Sequence, residues 1–227
     1  MTESEVNQSQ QESIESCPLC RHRAAQPFLY HQDKQRAYYQ CGECALVYVP
    51  RRYHLSAAEE KTYYDLHENH LQDPGYEKFL SRCADPLLAR LPAGAHGLDF
   101  GCGPAPLLAN MLQRSGHPTA TYDLYYRPDI SVLEQSYDFV VSTEVVEHLS
   151  EPGNVIASLW QRLNRGGVLA LMTKLVASPE RFASWHYIRD PTHIVFFSAP
   201  TFSWLARKLN AELEIVGADV IFLQRRD

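Results

Sequence analysis

Four cysteines stand as two pairs, Cys17 and Cys20 in "CPLC" and Cys41 and Cys44 in "CGEC". The spacing C-x2-C-x20-C-x2-C offers two thiolate pairs from two tight turns, enough to close a tetrahedral Zn2+ shell. Every position is a thiol, so no coordination position stays open for a catalytic water and the metal is expected to be structural. Two disulfides or a redox pair are the competing reading. The polar, acidic start "MTESEVNQSQQESIES" has neither the basic beginning nor the apolar core of a signal peptide. A cytoplasmic setting is therefore expected, where disulfides are rare, and a redox pair needs no second copy. Of the two remaining cysteines, Cys83 is expected to face a core from a helix, and Cys102 lies in the stretch considered next.

That stretch is "GLDFGCGPAP", residues 97–106. It leads from an apolar run through the carboxylate Asp99 into a turn holding Gly101, Cys102 and Gly103. A dinucleotide fingerprint G-x-G-x-x-G would place its third glycine at position 106, which is Pro106. Asp99 would repel a diphosphate but tolerate a ligand carrying an ammonium and a sulfonium. S-adenosylmethionine (SAM) fits that description. Asp123, 20 residues after Gly103, is expected at the end of the following strand, where a carboxylate can accept both hydroxyls of a ribose.

Proton-transfer chemistry has two candidate sources. "TEVVEHL" offers Glu144, Glu147 and His148, and "WHYIRDPTHIVFFSAPTF" offers His193, with His186 behind it. His193 is the leading candidate for a general base, with His148 and Glu144 as alternatives. Either imidazole could instead simply hydrogen-bond its loop. Trp185, Tyr187, Phe196 and Phe197 could wall a pocket for a planar or apolar acceptor, or be ordinary core. The N-P-P-Y and D-P-P-Y motifs that seat an adenine or amide nitrogen are absent from these positions, and there is no Pro-Cys nucleophile for pyrimidine carbons.

The elements that must position these groups alternate strand and helix from Gly97 onward. Strand signals in "GLDFG", "TATYDL", "YDFVVS" and "VLALMT" are separated by helix signals in "PLLANMLQRSG" and "PGNVIASLWQRLN". The helix "PTFSWLARKLN" and two consecutive strands, "AELEIVGA" and "DVIFLQ", close the chain. This is the pattern of an α/β doubly wound parallel sheet with one reversed neighbour, whose ligands sit beyond the carboxyl ends of the strands. Upstream, aromatic runs around "DKQ" read as a hairpin, and with "ALVYVP" they make a zinc ribbon over 17–50. Residues 51–93 read as a helical linker or lid. Ser56 and Glu59 form a capping box there, and the helix "GYEKFLSRCADPLLARL" is expected to break at Pro86. Tyr63, Tyr64, His67 and His70 line a pocket or pack on the core. Residues 1–16 are expected to be a disordered acidic tail, and 94–227 the main domain.

The chain of 227 residues has a net charge of −6, distributed as −4 over 1–16, +4 over 17–54 and −6 over the rest. The small basic stretch suits a solvated face or nucleic-acid contact, and the acidic remainder weakens the second. No apolar run is long enough for a membrane span.

Taken together, "LDFGCGPAP", "TYDL", "YDFVVSTEVVEHL", "RGGVLALMT" and the closing helix with two strands resemble the class I SAM-dependent methyltransferases. The nearest branch is that of the ubiquinone-biosynthesis O-methylases. The resemblance covers residues 97–227. It implies a Rossmann-like seven-stranded sheet of order 3-2-1-4-5-7-6 with the seventh strand antiparallel. It also implies that Asp99, Gly101, Cys102 and Gly103 hold the methionine end of SAM, Asp123 the ribose, and that Thr143 and Glu144 lie beside the cofactor. Only 14 residues separate Asp123 from Asp138, too few for the family's third strand and its adenine-contacting acid. A short or missing third strand is expected, with Leu124 and Tyr125 covering the adenine. Three functions fit these features: methyl transfer to oxygen or carbon of a small molecule, methylation of RNA docked on the ribbon, or a non-catalytic SAM-binding or zinc-mediated interaction protein.

Overall fold

The computed structural model describes residues 15–31, 36–66 and 73–226. Nearly all of the acidic tail, the "DKQ" turn with Lys34, and His67 and His70 lie outside the described residues. The amino-terminal region pairs β1 (Ala25–His31) with β2 (Arg36–Cys41), antiparallel, and β2 with the short β3 (Val47–Tyr48). Helix α1 (Ala57–Tyr64) follows, with the Ser56–Glu59 capping box formed in both directions. Helix α2 (Pro74–Leu88) runs through Pro86, where a break was expected. Pro86 stands in the last turn, so little helix remains to lose, and the fully buried Leu87 continues the apolar face of Leu80, Cys83 and Ala84.

The main domain then alternates. Strand β4 (Gly97–Phe100) leads to α3 (Leu107–Arg114) and β5 (Thr119–Tyr122). Strand β6 (Tyr137–Thr143) leads to α4 (Pro152–Gln161) and β7 (Leu163–Met172). After a loop holding α5 (Pro179–Ala183) and β8 (Val195–Phe196) come α6 (Ala199–Leu209), β9 (Ala211–Val216) and β10 (Val220–Arg225). The central sheet has the order β5-β4-β6-β7-β10-β9. Strands β5, β4, β6 and β7 are parallel, and β10 is antiparallel to both its neighbours. Between β5 and β6 the described residues form a 3-10 turn over Ile130–Glu134 in place of a strand. Strand β7 begins earlier than expected and includes "RGG", which it accommodates by a register shift opposite Tyr137–Phe139.

Side chains of alternate parity leave the two faces of this sheet, as the period of two requires. One face packs Phe139, Val141, Ala170 and Phe222 against α2 and α3. The other packs Leu98, Val140, Leu169 and Ile221 against Ile156 and Leu159 of α4 and Phe202 and Leu205 of α6.

The cysteine-bearing region shares this second core. Cys17, Cys41, Cys44 and Leu46 belong to the same apolar cluster as the face covered by α4 and α6. Strand β3 also pairs with β8, making a four-stranded sheet β1-β2-β3-β8 that joins the region to the loop after β7. Phe196 and Phe197, candidates for a pocket wall, are both core. Phe196 packs edge-on against Tyr38 and Phe182, and Phe197 stacks on Phe202 at 5.1 Å. At α4 the first cysteine turn lies so close that a Cβ on Gly153 would stand 2.2 Å from the Leu19 carbonyl oxygen. Gly153→Ala is therefore expected to lower stability by about 1–3 kcal/mol through this backbone clash, seen as a reduced Tm. An unchanged Tm would contradict rigid docking of the cysteine turn on α4.

Candidate functional site

The carboxyl end of β4 turns through Gly101 (φ +80°) and Gly103 (φ +64°), a left-handed path that glycine adopts without strain. A Cβ on Gly101 would lie 2.3 Å from Val145 Cγ2, so the turn abuts the residue after Glu144. A Cβ on Gly103 would meet nothing within 4 Å, leaving that side open. The turn is tied to the end of β5. The Gly101 and Cys102 amides donate to the Tyr122 carbonyl at 2.7 and 3.1 Å. Asp123 Oδ2 accepts from the Gly103 amide at 3.0 Å, and Oδ1 accepts from Tyr125 and Tyr126 at 2.9 and 3.0 Å.

Asp99 lies beneath the turn, 2% exposed. Burial pushes its carboxyl up to about 7, against a favourable backbone hydrogen bond at Ala109. Burial, with Asp99 and Asp123 nearby, pushes the Cys102 thiol up to about 12, so it is no reactive thiolate. Leu124 is 64% exposed. Tyr125 turns to α1, its hydroxyl donating to Glu60 at 2.7 Å.

Strand β6 ends at Thr143. Glu144 follows at φ +52° with its amide donating to the Met172 carbonyl at 2.8 Å. A non-glycine residue held there stores backbone strain, a feature common at functional sites. Burial raises the Glu144 carboxyl to about 7, with the Lys174 charge opposing. Glu147 is fully buried, and burial together with the charge of Glu144 raises it to about 8. The Tyr187 hydroxyl donates to Glu147 Oε1 and lies 3.4 Å from Glu144 Oε2. The other two carboxylate oxygens, Glu144 Oε1 and Glu147 Oε2, are buried without a hydrogen-bond partner.

His148 and His193 meet beside these carboxylates, ring centroids 4.7 Å apart. His148 Nδ1 lies 3.1 Å from the Thr192 carbonyl, and His193 Nδ1 lies 2.7 Å from the Tyr187 carbonyl. His193 Nε2 is 3.8 Å from Asp190 Oδ2. His186, by contrast, is exposed and sits against Lys174 Nζ at 2.8 Å. Helix α1 spans the two halves of the site. Its Tyr64 ring packs edge-on against His148 at 5.3 Å, while Glu60 and Asp65 accept hydrogen bonds from Tyr125 and Tyr126.

From sequence, Arg36 on β2 reads only as one cation of the basic stretch 17–54. It is 5% exposed and serves the loop bearing His193. Nη2 donates to the Ile188 carbonyl at 2.8 Å and the Tyr38 hydroxyl at 3.0 Å, and Nη1 donates to the Pro191 carbonyl at 3.0 Å. Weaker contacts reach the carbonyls of Asp190 and His193 at 3.3 and 3.4 Å. The one available signal was a cation opening an otherwise aromatic strand, "RAYYQC".

The four cysteines of the paired motifs converge, their sulfurs all within 4.8 Å of one another. Cys17 and Cys44 sulfurs are 3.6 Å apart and those of Cys20 and Cys41 are 3.5 Å apart. All four are unbridged. A tetrahedron with metal–sulfur bonds of about 2.3 Å has edges of about 3.8 Å, close to these separations. Hydrogen bonding from Cys44 lowers Cys17 to about 5, whereas burial raises Cys20 to about 12. Four sulfurs at these separations are compatible with one tetrahedral metal site.

A depression of about 610 Å³, lined by His96, Gln113 and Thr119 among others, lies at the opposite ends of the strands and holds none of these groups.

A family model described as a methyltransferase domain matches residues 69–215. The chain belongs to this family. No curated protein sequence matches it. Among solved structures, an O-methyltransferase family protein from Burkholderia thailandensis is similar at a TM-score of 0.55 and 14% identity, covering 78% of this chain. This chain spans 62% of that protein's length. The 1,6-didemethyltoxoflavin-N1-methyltransferase of the same organism, solved with S-adenosylhomocysteine, aligns at a TM-score of 0.48 and 17% identity over 85% of this chain and 96% of that one. At such identities the likeness to the first is one of fold.

The loop that carries His193 into this methyltransferase domain hangs on the Arg36 guanidinium. Arg36→Leu is expected to cost about 2–4 kcal/mol, since several carbonyls lose a charged donor at once. Thermal unfolding with backbone hydrogen exchange over 186–194 checks it, and unaltered protection there would show the loop holds itself.

Proposed function

We propose that the chain is a SAM-dependent methyltransferase that transfers a methyl group to an oxygen or carbon of a small-molecule acceptor. The observation that carries this reading is the glycine turn, open at Gly103 and latched to β5 by Asp123. That turn stands at the carboxyl end of a parallel strand in a family of methyltransferase domains. SAM, when bound, supplies an electrophilic methyl on sulfur. Asp123 Oδ2 holds one backbone donor, and a carboxylate oxygen can accept a second from a ribose hydroxyl. Gly101, Cys102 and Gly103 would line the methionine end above Asp99, whose buried carboxyl disfavours a phosphate there. Thr143 and Glu144 would flank the ligand from the end of β6, and Leu124 with Tyr125 would cover the adenine.

On the acceptor side the Tyr187 carbonyl fixes the proton of His193 on Nδ1. Nε2 is thereby the basic nitrogen, suited to receive a proton from an acceptor hydroxyl. His148 and Glu144 stand by it. Alignment of acceptor and methyl is the larger part of such catalysis, and α1, lying over His148, is the candidate lid. The four cysteines would hold a structural Zn2+. Among the described residues no helix is long and apolar enough to cross a membrane. The resemblance to the ubiquinone-biosynthesis O-methylases favours a phenolic oxygen as acceptor.

The RNA reading draws less support. Of the six basic residues in the amino-terminal stretch, Arg36 is buried, Arg21 and Arg51 both pair with Glu151, and Lys34 lies outside the described residues.

Calorimetry with SAM tests the cofactor directly. Asp123→Ala should weaken binding by about 1–3 kcal/mol through loss of charge-assisted hydrogen bonds, and unchanged affinity would remove Asp123 from the ribose site. Incubation with methyl-labelled SAM and fractionated small molecules should label an acceptor. SAM binding without any transfer would favour the non-catalytic reading. For the cysteine centre, the purified protein should carry one zinc equivalent that Cys41→Ser loses along with a fall in Tm. A metal-free wild type of equal Tm would contradict that role.

A further inference from the structure

Helix α1 presents no buried face to the rest of the protein, since none of its eight residues is buried. An isolated helix of that length is marginal in water. Its position therefore rests on what its polar groups and rings touch. Glu60 makes two of those contacts. Its Oε1 accepts from the Tyr64 hydroxyl at 2.7 Å, and its Oε2 accepts from the Tyr125 hydroxyl at 2.7 Å. Beyond it, Asp65 accepts from the Tyr126 hydroxyl at 2.7 Å and from the Lys61 ammonium at 2.8 Å. Burial and the adjacent Glu60 push the Tyr125 phenol up to about 12, so it remains a donor at neutral pH.

Tyr125 and Tyr126 belong to the other half of the site. Residues 123–127 form a tight turn, closed by Asp123 and Arg127 exchanging backbone hydrogen bonds at 3.0 and 3.1 Å. Within it Asp123 Oδ1 accepts from the Tyr125 and Tyr126 amides, while Oδ2 accepts from the Gly103 amide. The orientation of one carboxylate thus sets where both phenols point. At the far end, the Tyr64 ring lies 5.9 Å from that of Tyr125 and packs edge-on against His148 at 5.3 Å. The path from Asp123 to His148 is continuous: carboxylate, backbone amide, phenol, Glu60, phenol, imidazole. Glu60 is the link that touches both phenols.

We propose that Glu60 is a positioning residue that couples the two ligand sites, so that a nucleoside hydroxyl on Asp123 tightens α1 over His148. This rests on the methyltransferase reading and deepens it by adding a binding order, cofactor before acceptor. A ribose hydroxyl that hydrogen-bonds Asp123 fixes the carboxylate, and with it the turn over 123–127. A fixed turn offers its phenols to Glu60 and Asp65 at a smaller cost in conformational entropy, and the docked position of α1 gains population. By reciprocity, an acceptor that packs beneath Tyr64 raises cofactor affinity by the same factor. Glu60 acts through Tyr64 and Tyr125 and does not touch the reacting atoms.

The test uses the full chain with S-adenosylhomocysteine as the probe of the cofactor side. Two signals are read: backbone hydrogen exchange over 57–65, and the Cε1–H resonance of His148 in histidine-labelled protein. In the wild type the probe should slow exchange over α1 about tenfold, within the usual range of coupling between sites, and shift the His148 resonance. Glu60→Ala should bind the probe yet lose both responses, because neither phenol then has its acceptor. Glu60→Gln should keep most of each, its amide oxygen accepting from one hydroxyl and its amide nitrogen donating to the other. Thr62→Ala, on an exposed position of the same helix, should respond as the wild type does. Bound probe with unaltered α1 exchange in the wild type overturns the coupling. So does an equal His148 response in Glu60→Ala, the result expected if Glu60 merely stabilised its helix. Tyr125→Phe, read without any nucleoside, should speed exchange over α1, and unaltered exchange overturns the latch itself. A wild type that binds no S-adenosylhomocysteine removes the methyltransferase reading and this inference with it, whereas binding without the two responses removes this inference alone.

Discussion

The carboxyl ends of the central strands hold more buried acid than neighbouring cations neutralise. Asp99, Glu144 and Glu147 are all raised to about 7 or 8, each chiefly by burial. The nearest basic groups, Lys174 and Arg82, act on Glu144 only in part, since Arg82 is already paired with Asp219. A charged carboxylate in a low-dielectric setting is costly without a partner. A site of this kind suits a positively charged ligand, and the sulfonium nucleoside proposed for the glycine turn is one.

What keeps this arrangement in register is the fusion of the amino-terminal region to the loop after β7. Strand β3 pairs with β8, the Val49 amide donates to the Ile194 carbonyl, and the Ile194 amide donates to the Glu147 carbonyl. Arg36 ties the turn from Ile188 to His193 from the other side. The cysteine centre thus acts at a distance. By fixing β2 and β3 it fixes the loop that carries His193 to Glu147 and His148. A structural metal far from the reacting atoms would have this positional meaning.

Local chemistry in the chain was the readable part. The glycine turn, the Ser56 capping box, the reversed final strand and the paired cysteines all depend on neighbours a few residues apart, and each stands where its spacing indicated. The segment between Asp123 and Asp138 was too short for a strand and a helix, and a 3-10 turn occupies it. Relations across long separations were not readable. Nothing in "RAYYQC" says that Arg36 will meet carbonyls some 150 positions away, and nothing in "VFF" distinguishes a pocket wall from a strand buried on both faces. Glu147 and His193 were each visible as chemistry, yet their meeting depends on β8 docking beside the end of β6. Pro86 misled because proline's cost depends on where in the helix it falls, a matter that its flanking residues leave open.

The account depends on the charge and shape of the glycine turn selecting a sulfonium nucleoside over a dinucleotide. Equilibrium dialysis of the full chain against a mixture of radiolabelled SAM and NADH measures that choice in one experiment. The account predicts retained SAM, released by excess S-adenosylhomocysteine, with NADH equal on both sides of the membrane. Retention of NADH with SAM evenly distributed would contradict it.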